Sequence, residues 1–526
     1  MQKLLQKLGT LVGILSGLFG IAVGLYYLFA DMRTATAQAD LAAQCRLDKS
    51  VCIMATARAE AEYGEAIGVA AKLHGDAQRL VFYPEHPESA LEELVKEKPD
   101  YALIFILPEE LDVNVAWNWL LASTKIDDDP FVDIRSGFIT GATPAAAKAL
   151  MQRIVDVHEG RLKLSGKMID QLGGNTEMAK SAFNQMAGSF MIPVYTERFG
   201  VETITHGVQG FSQQRLNSMN GAGILHFGGH GYPDRIVDTL NGVYVRKLVL
   251  SPCVVFNGAC YTGVTSCWFD VTSGQLVEKR VEPNLCFALG MLEQPVVGYL
   301  AALHPDHGIP VYQEMEYLAY SGATLGDAIK HTYDGVVLGN GGKLPDLPTL
   351  SAGMQLAWSP RQIMLKGTAA RVLFGDPTLA PMASFTRKPF TFATTTAEPG
   401  LLKIVATLQN PMLKATFTNT FENGLSGNSP FNDRALLKIE LPEGQTKVSD
   451  VRLDKIGAGG SPLQGQIVGY AVEQDENRNF LQVHIDVPSS AYMAGPLRQS
   501  GNTIELSVDG DRKSTRLNSS HTDIAR

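Results

Sequence analysis

Apolar positions in the body of this chain form compact runs separated by stretches of helical period, and toward its end they alternate in short segments. Residues 55–73 (ATARAEAEYGEAIGVAAKL) are rich in Ala and Glu and predict a helix. LVFY at 80–83 predicts a short strand. SALEELVKE then starts on Ser89 with Glu92 three residues on, a helix-start signal. YALIFIL at 101–107 is a continuous apolar run between Asp100 and Pro108, as a parallel strand buried on both faces requires. A helical segment follows at 144–159, and further apolar runs occur at 223–229 (GILHFGG), 253–258 (CVVFNG) and 294–303 (QPVVGYLAAL). The amphipathic VYQEMEYLAY comes next, then a helix capped by Thr324 with Asp327 at the box position. Alternating strand and helix predict an α/β layer sandwich with a mostly parallel sheet, ending near FGDPTLAP at 374–381.

From about Thr386 the texture changes. LLKIVATLQ, LKATFTNTF, ALLKIEL, IVGYAVE, FLQVHIDV and TIELSV are short, often alternating, and divided by Gly, Asn, Pro and Asp. They predict an all-β sandwich of immunoglobulin-like type over residues 385–511. The α/β unit is expected over 75–384, preceded by a helical or linker segment at 40–74.

Both ends of the chain stand apart. Lys3 and Lys7 precede an apolar run from Thr10 to Ala30, and Ala37-Gln38-Ala39 reads as a small-x-small cleavage site. That order predicts a secretory signal peptide over 1–39, with a mature start at Asp40. At ~1.5 Å per residue the run could also span a bilayer as an uncleaved anchor, residues 10–30 then holding the protein to a membrane. Either way the remainder is exported, to the periplasm, the cell surface or the medium. From Arg512 the chain reads RKSTRLNSSHTDIAR, without apolar periodicity, and resembles translated sequencing-adapter read-through. It is expected to lie outside the fold.

Composition narrows the function classes. A net charge of -9, with Lys and Arg scattered, offers no basic stripe for a nucleic acid. Six cysteines suit an exported protein without making a disulfide scaffold; Cys45 and Cys52 are close enough in sequence to close a small loop. His226, His230, His304 and His307 raise the question of zinc, but the first pair sits as HxxxH along a strand, and the helical HExxH pattern is absent. The acidic run Asp127-Asp128-Asp129 before Pro130 reads as a solvated loop; calcium is the one cation it leaves open, and no cofactor is required.

Two blocks carry chemistry. GILHFGGHGYP runs an apolar strand into His230-Gly231, and CVVFNGACYTG runs one into Ala259-Cys260, thirty residues after the histidine. Each sets a reactive side chain just past the C-terminal end of a buried strand, where open α/β sheets collect their active sites. A Cys260 thiolate can attack a carbonyl while the His230 imidazole takes its proton and returns it to the leaving amine. Glycine at 231 lets the backbone approach the scissile carbonyl, so the N–H groups of Gly231 and Cys260 are the expected oxyanion donors. HPDHG at 304–308 follows a strand and is expected to wall the substrate cleft, with His304 as a pocket residue.

These blocks resemble the gingipain-like family of caspase-fold cysteine peptidases. NGAGILHFGGHG is similar to its histidine block, VVFNGACYTG to its cysteine block, RVLFGDPTLAP to its closing strand and turn, and SGFITGATPAAAKALMQRI to the strand-turn-helix upstream of the histidine. The resemblance covers roughly residues 75–510 and implies an endopeptidase acting on peptide or protein substrates, followed by a sandwich domain. Where the family commonly has Gly-Arg, this chain has Gly137-Phe138, with Arg135 upstream. The third catalytic member, usually acidic when the family has one, is not placed by the sequence; Asp133 and Asp234 are candidates for an orienting or substrate-pocket role. The alternative is a silent caspase-like module that binds partners at a surface.

Overall fold

The structure is a computed structural model that describes residues 40–510, except 76, 174–199, 207–218, 237–239, 272–273, 307–309, 319–321, 356–359, 384–387, 410–430, 459–460, 464, 476 and 490–500. The expected signal or anchor segment, the LKATFTNTF strand, His307 and the 512–526 tail lie outside the described residues. Among the described residues no helix is long and apolar enough to cross a membrane.

Ten strands form the central sheet: β1 (Val51–Ala55), β2 (Gln78–Val81), β3 (Tyr101–Phe105), β4 (Arg135–Ile139), β5 (Lys167–Gly173), β6 (Gly200–His206), β7 (Ile224–Gly228), β8 (Cys253–Asn257), β9 (Val296–Ala302) and β10 (Arg371–Gly375). Their order is β2-β1-β3-β4-β10-β9-β8-β7-β5-β6. Strands β2 to β10 of that order run parallel, as do β9 to β6, and the two halves meet at one antiparallel junction, β9 against β10. Their continuous apolar character follows from burial on both faces: every residue of β1, β3, β7, β8, β9 and β10 is buried. Because Ala302 pairs with Arg371, the start of β10 shares a sheet edge with the C-terminal ends of β7, β8 and β9. This reversal brings a residue far along the chain to the rim where His230 and Cys260 emerge.

Four local expectations shift. Val51–Ala55 pairs with β2 and β3, so the central sheet begins inside the 40–74 segment, ahead of its helical part. The 55–73 helix breaks into Ala57–Glu62 and Gly64–Leu73, because Tyr63 is buried between them and its hydroxyl donates to the Gly141 carbonyl at 2.8 Å. Ser89 caps nothing: Pro87 opens a 3-10 turn ahead of it, and the Ser89 hydroxyl donates to the His86 carbonyl at 2.6 Å. Cys45 and Cys52 are both buried free thiols.

Helix α1 (Pro144–His158) illustrates the layer packing. Thr143 accepts from the Ala146 N–H, Pro144 sits where no backbone donor is needed, and Ala147, Leu150, Met151, Ile154 and Val157 form one buried face. Gly137 on β4 has a steric reason to be glycine: a Cβ there would lie 2.2 Å from the Gly375 carbonyl oxygen. On α2 (Pro310–Leu318) and α3 (Leu325–Gly339), the Thr324–Asp327 capping box forms as its spacing requires.

A buried ion pair ties the first helices to the end of β10. His74 Nε2 lies 2.7 Å from Asp376 Oδ2, with both side chains fully enclosed. Burial pulls the imidazole pKa down, yet the Asp376 charge and hydrogen bond outweigh it and raise the net value. The Asp376 carboxyl is held low by His74 and Thr378 against its own burial. A histidine raised in the folded state contributes stability that is complete below its unfolded pKa of about 6.5 and disappears as pH rises through the folded value. The thermal midpoint should therefore fall between neutral and alkaline pH, and His74→Gln should flatten that slope. A midpoint-against-pH curve unchanged by the substitution would contradict this.

The C-terminal part is two antiparallel sheets. The first contains β11 (Phe390–Glu398), β12 (Leu401–Leu408), β14 (Val448–Ala458), β15 (Ser461–Leu463) and β18 (Thr503–Gly510); the second contains β13 (Phe431–Glu440), β16 (Gln466–Asp475) and β17 (Arg478–Ser489). Leu402, Ile404, Leu506 and Val508 of one sheet share a core with Leu437, Ile439, Leu481 and Val483 of the other. Against α3 the contact is partly apolar, with Val337 and Leu338 packing on Leu436 and Ala471, and partly ionic. Lys330 lies 2.7 Å from both Asp334 and Glu473, and Arg135 lies 3.1 Å from Asp475.

Candidate active site

Strands β7 and β8 pair in parallel with Phe227 opposite Asn257, so His230 and Cys260 leave the sheet at the same distance past that pair. The chain turns at Gly229, whose φ of 129° suits only glycine. Gly231 then lies directly on the cysteine turn: a Cβ there would stand 2.3 Å from the Cys260 carbonyl oxygen and 2.8 Å from Ala259 Cβ. The His-Gly block and the Ala-Cys block are thus pressed together. His230 is exposed and Cys260 half-buried. Gly231→Ala must push one backbone off the other, and a displacement near 1 Å at a reacting group costs about 10²-fold in rate. We expect that loss in kcat, measured on a protein that still unfolds cooperatively; an unaffected kcat would mean that the contact does not set the geometry.

The turn carrying Cys260 is held from several sides. Asn257 Oδ1 accepts from the Ala259 N–H at 2.9 Å, and the Thr262 hydroxyl donates to the Ala259 carbonyl at 2.8 Å. Tyr261 adopts φ 61°, a left-handed conformation costing of order 1–3 kcal/mol for a residue of this kind. Its surroundings enforce it: the Tyr261 hydroxyl donates to the Phe269 carbonyl at 3.2 Å, and its ring meets Trp268 and His304 edge-on at 4.8 and 6.0 Å.

The thiol itself faces Asp306. Cys260 Sγ donates to the Asp306 carbonyl at 3.0 Å and accepts from the Asp306 N–H at 3.3 Å. Burial, followed by the Asp306 carboxylate charge, pushes its pKa up to about 11. In this conformation Cys260 is a protonated thiol, its Sγ engaged by the Asp306 main chain.

The remaining candidates are spread around this centre. His304 is completely buried at the end of β9, between Trp117 and Tyr261, and burial holds its pKa down near about 3; it is a neutral core side chain, not a cleft wall. Asp234 sits in the hairpin after Gly231, its carboxylate 2.9 Å from Arg235. Asp133 accepts from the Ile126 N–H at 3.0 Å and groups with Asp127 and Asp129, whose carboxylate oxygens and its own lie within 4.8 Å of one another. Burial and the two neighbouring charges raise its pKa. That acidic group neighbours the sandwich, where Asp129 accepts from the Gln474 N–H at 2.6 Å.

Sequence reasoning did not single out Glu314 or Arg371, and reached Asp306 only as part of the HPDHG segment. All three are fully enclosed, and Arg371 spreads its guanidinium over Glu314 (2.5 and 2.7 Å), the Asn257 carbonyl (2.9 Å) and the Asp306 carboxylate. The available signal was an arginine opening RVLFG, an otherwise apolar strand run.

No family model matches this sequence, and no curated protein matches it. Among solved structures, the chain is similar to one described as a protease, at 10% identity and a TM-score of 0.43, covering 87% of this chain and 96% of that one. It is also similar to the Arg-specific cysteine proteinase gingipain R, at 9% identity and a TM-score of 0.41, covering 87% and 97%. For the Saccharomyces cerevisiae separase–securin complex the values are 10% and 0.33, covering 53% of this chain and 15% of that one.

Proposed function

We propose that the protein is an exported cysteine endopeptidase of the caspase-like fold, with an immunoglobulin-like sandwich behind it, and that it hydrolyses peptide bonds through a Cys260–His230 dyad. The observation that carries this reading is the pairing of β7 with β8 in a register that delivers both side chains to one sheet edge, with Gly231 against Ala259 and Cys260. His230 removes the thiol proton, and Cys260 Sγ attacks the scissile carbonyl to form a tetrahedral oxyanion. The backbone N–H groups of Gly231 and Cys260 stabilise that charge. His230 returns the proton to the leaving amine; water then attacks the thioester, giving up its proton to His230, and the thiol is regenerated. This chemistry needs no metal, and the substrate is a peptide or protein chain. The N-terminal apolar run is proposed to direct export or to anchor the protein to a membrane.

A second reading, the silent binding module, draws support from the Cys260 thiol bonded to Asp306 with a raised pKa. A peptide-library cleavage assay on the full chain, with a Cys260→Ala control, separates the two. Cleavage lost in the control supports the peptidase; no cleavage by either protein supports the module.

A further inference from the structure

We infer that Arg371 is a positioning residue for Cys260, fixing through its buried guanidinium the two main-chain shoulders between which the thiol lies. The inference rests on Cys260 being the nucleophile of the proposed peptidase. One shoulder is the end of β8. Arg371 Nη1 donates to the Asn257 carbonyl at 2.9 Å, and Asn257 in turn caps the N–H of Ala259, the residue before Cys260. The other shoulder is Asp306, whose carboxylate pairs with the same Nη1 and whose N–H and C=O both contact Cys260 Sγ. Glu314 on α2 holds the remaining edge of the fork through two parallel bonds.

Stability alone is a poor reason for this arrangement. Two carboxylates share one guanidinium at zero exposure, and buried ion triads are commonly no more stabilising than apolar residues of equal volume. Glu314 reflects the cost: burial raises its pKa against the pull of Arg371 and of nearby His226. What the triad supplies is direction. A planar fork can hold a carboxylate, a carbonyl and a second carboxylate at set angles, which an ammonium cannot. Because β10 runs against β9, Arg371 reaches this rim from the half of the sheet that carries neither His230 nor Cys260.

The test uses the full chain with Arg371→Lys, Asp306→Asn and the pair, reading peptide hydrolysis and iodoacetamide alkylation of each cysteine by mass spectrometry. Lysine keeps the charge but not the fork, so kcat should fall by about 10²-fold. KM should stay within about twofold, since both side chains are fully enclosed and present no surface to a peptide. Residues acting through one contact are non-additive, so the double variant should be no slower than the slower single. Cys260 alkylation should accelerate several-fold, while buried Cys253 and Cys286 stay protected. Wild-type kcat in a folded variant, or faster alkylation of all three thiols together, would overturn the inference by showing general loosening only. Should Arg371→Lys not fold, Asp306→Asn, which preserves shape, decides by kcat alone, because loss of its charge lowers the thiol pKa and speeds alkylation without any movement. If Cys260→Ala still cleaves peptide, the nucleophile assignment is what fails, and selective alkylation still decides whether Arg371 holds this turn.

Discussion

Cys260→Ala and His230→Ala should each lower peptide hydrolysis by at least about 10³-fold, and the double variant should be little worse than either, because the proposed mechanism makes nucleophile and base act as one unit. Neither change should disturb the fold: His230 is exposed, and Cys260 lies on a turn whose bonds to Asn257 and Thr262 do not use the thiol. Cys260→Ala also removes the contact to Asp306, worth on the order of 1 kcal/mol as a net hydrogen bond, so a small drop in the thermal midpoint is expected. Steady-state kinetics on correctly folded protein checks this. Retained hydrolysis in Cys260→Ala would move attention to half-buried Cys267.

The second large effect concerns the joint between the two parts of the molecule. Lys330 is 6% exposed and bridges Asp334 on its own helix to Glu473 on β16. Both carboxylates press on it, and they raise its pKa despite burial, so it stays charged. Lys330→Met takes from buried Asp334 its ion-pair partner and leaves Glu473 with Lys438 at 2.8 Å, a loss of about 3 kcal/mol by analogy with other broken buried pairs. Chemical denaturation should show that loss, and limited proteolysis should cut first between the α/β part and the sandwich. A cost below about 1 kcal/mol would place Lys330 with ordinary surface pairs.

How much of this was legible in the sequence depends on the range of the interaction. YALIFIL, GILHFGG, CVVFNG and QPVVGYLAAL mark strands because burial on both faces leaves a local signature, and Thr324 with Asp327 marks a cap because its bonds span three residues. The His230 and Cys260 blocks stand out for the same reason, each being a strand followed by small residues. The antiparallel junction has no such signature: RVLFG would read alike in either direction. Nor has the Arg371 cluster, whose partners lie 57, 65 and 114 residues away in sequence. His304 reads like a cleft residue from its neighbours Pro305 and Asp306, and only the packing of Trp117 and Tyr261 around it reveals a core position. Val51–Ala55 went unread because five residues beside an Ala-rich helix carry too little pattern to separate strand from loop.

The central claim is that Cys260 attacks a peptide carbonyl with help from His230. Reaction of the full chain with a peptidyl chloromethyl ketone, mapped by peptide mass spectrometry, tests it most directly. The account predicts one adduct per chain, on Cys260, formed at least about 10²-fold more slowly once His230 is replaced by alanine. Adducts on other cysteines at comparable rates, or a Cys260 left unmodified while peptide is cleaved, would contradict it.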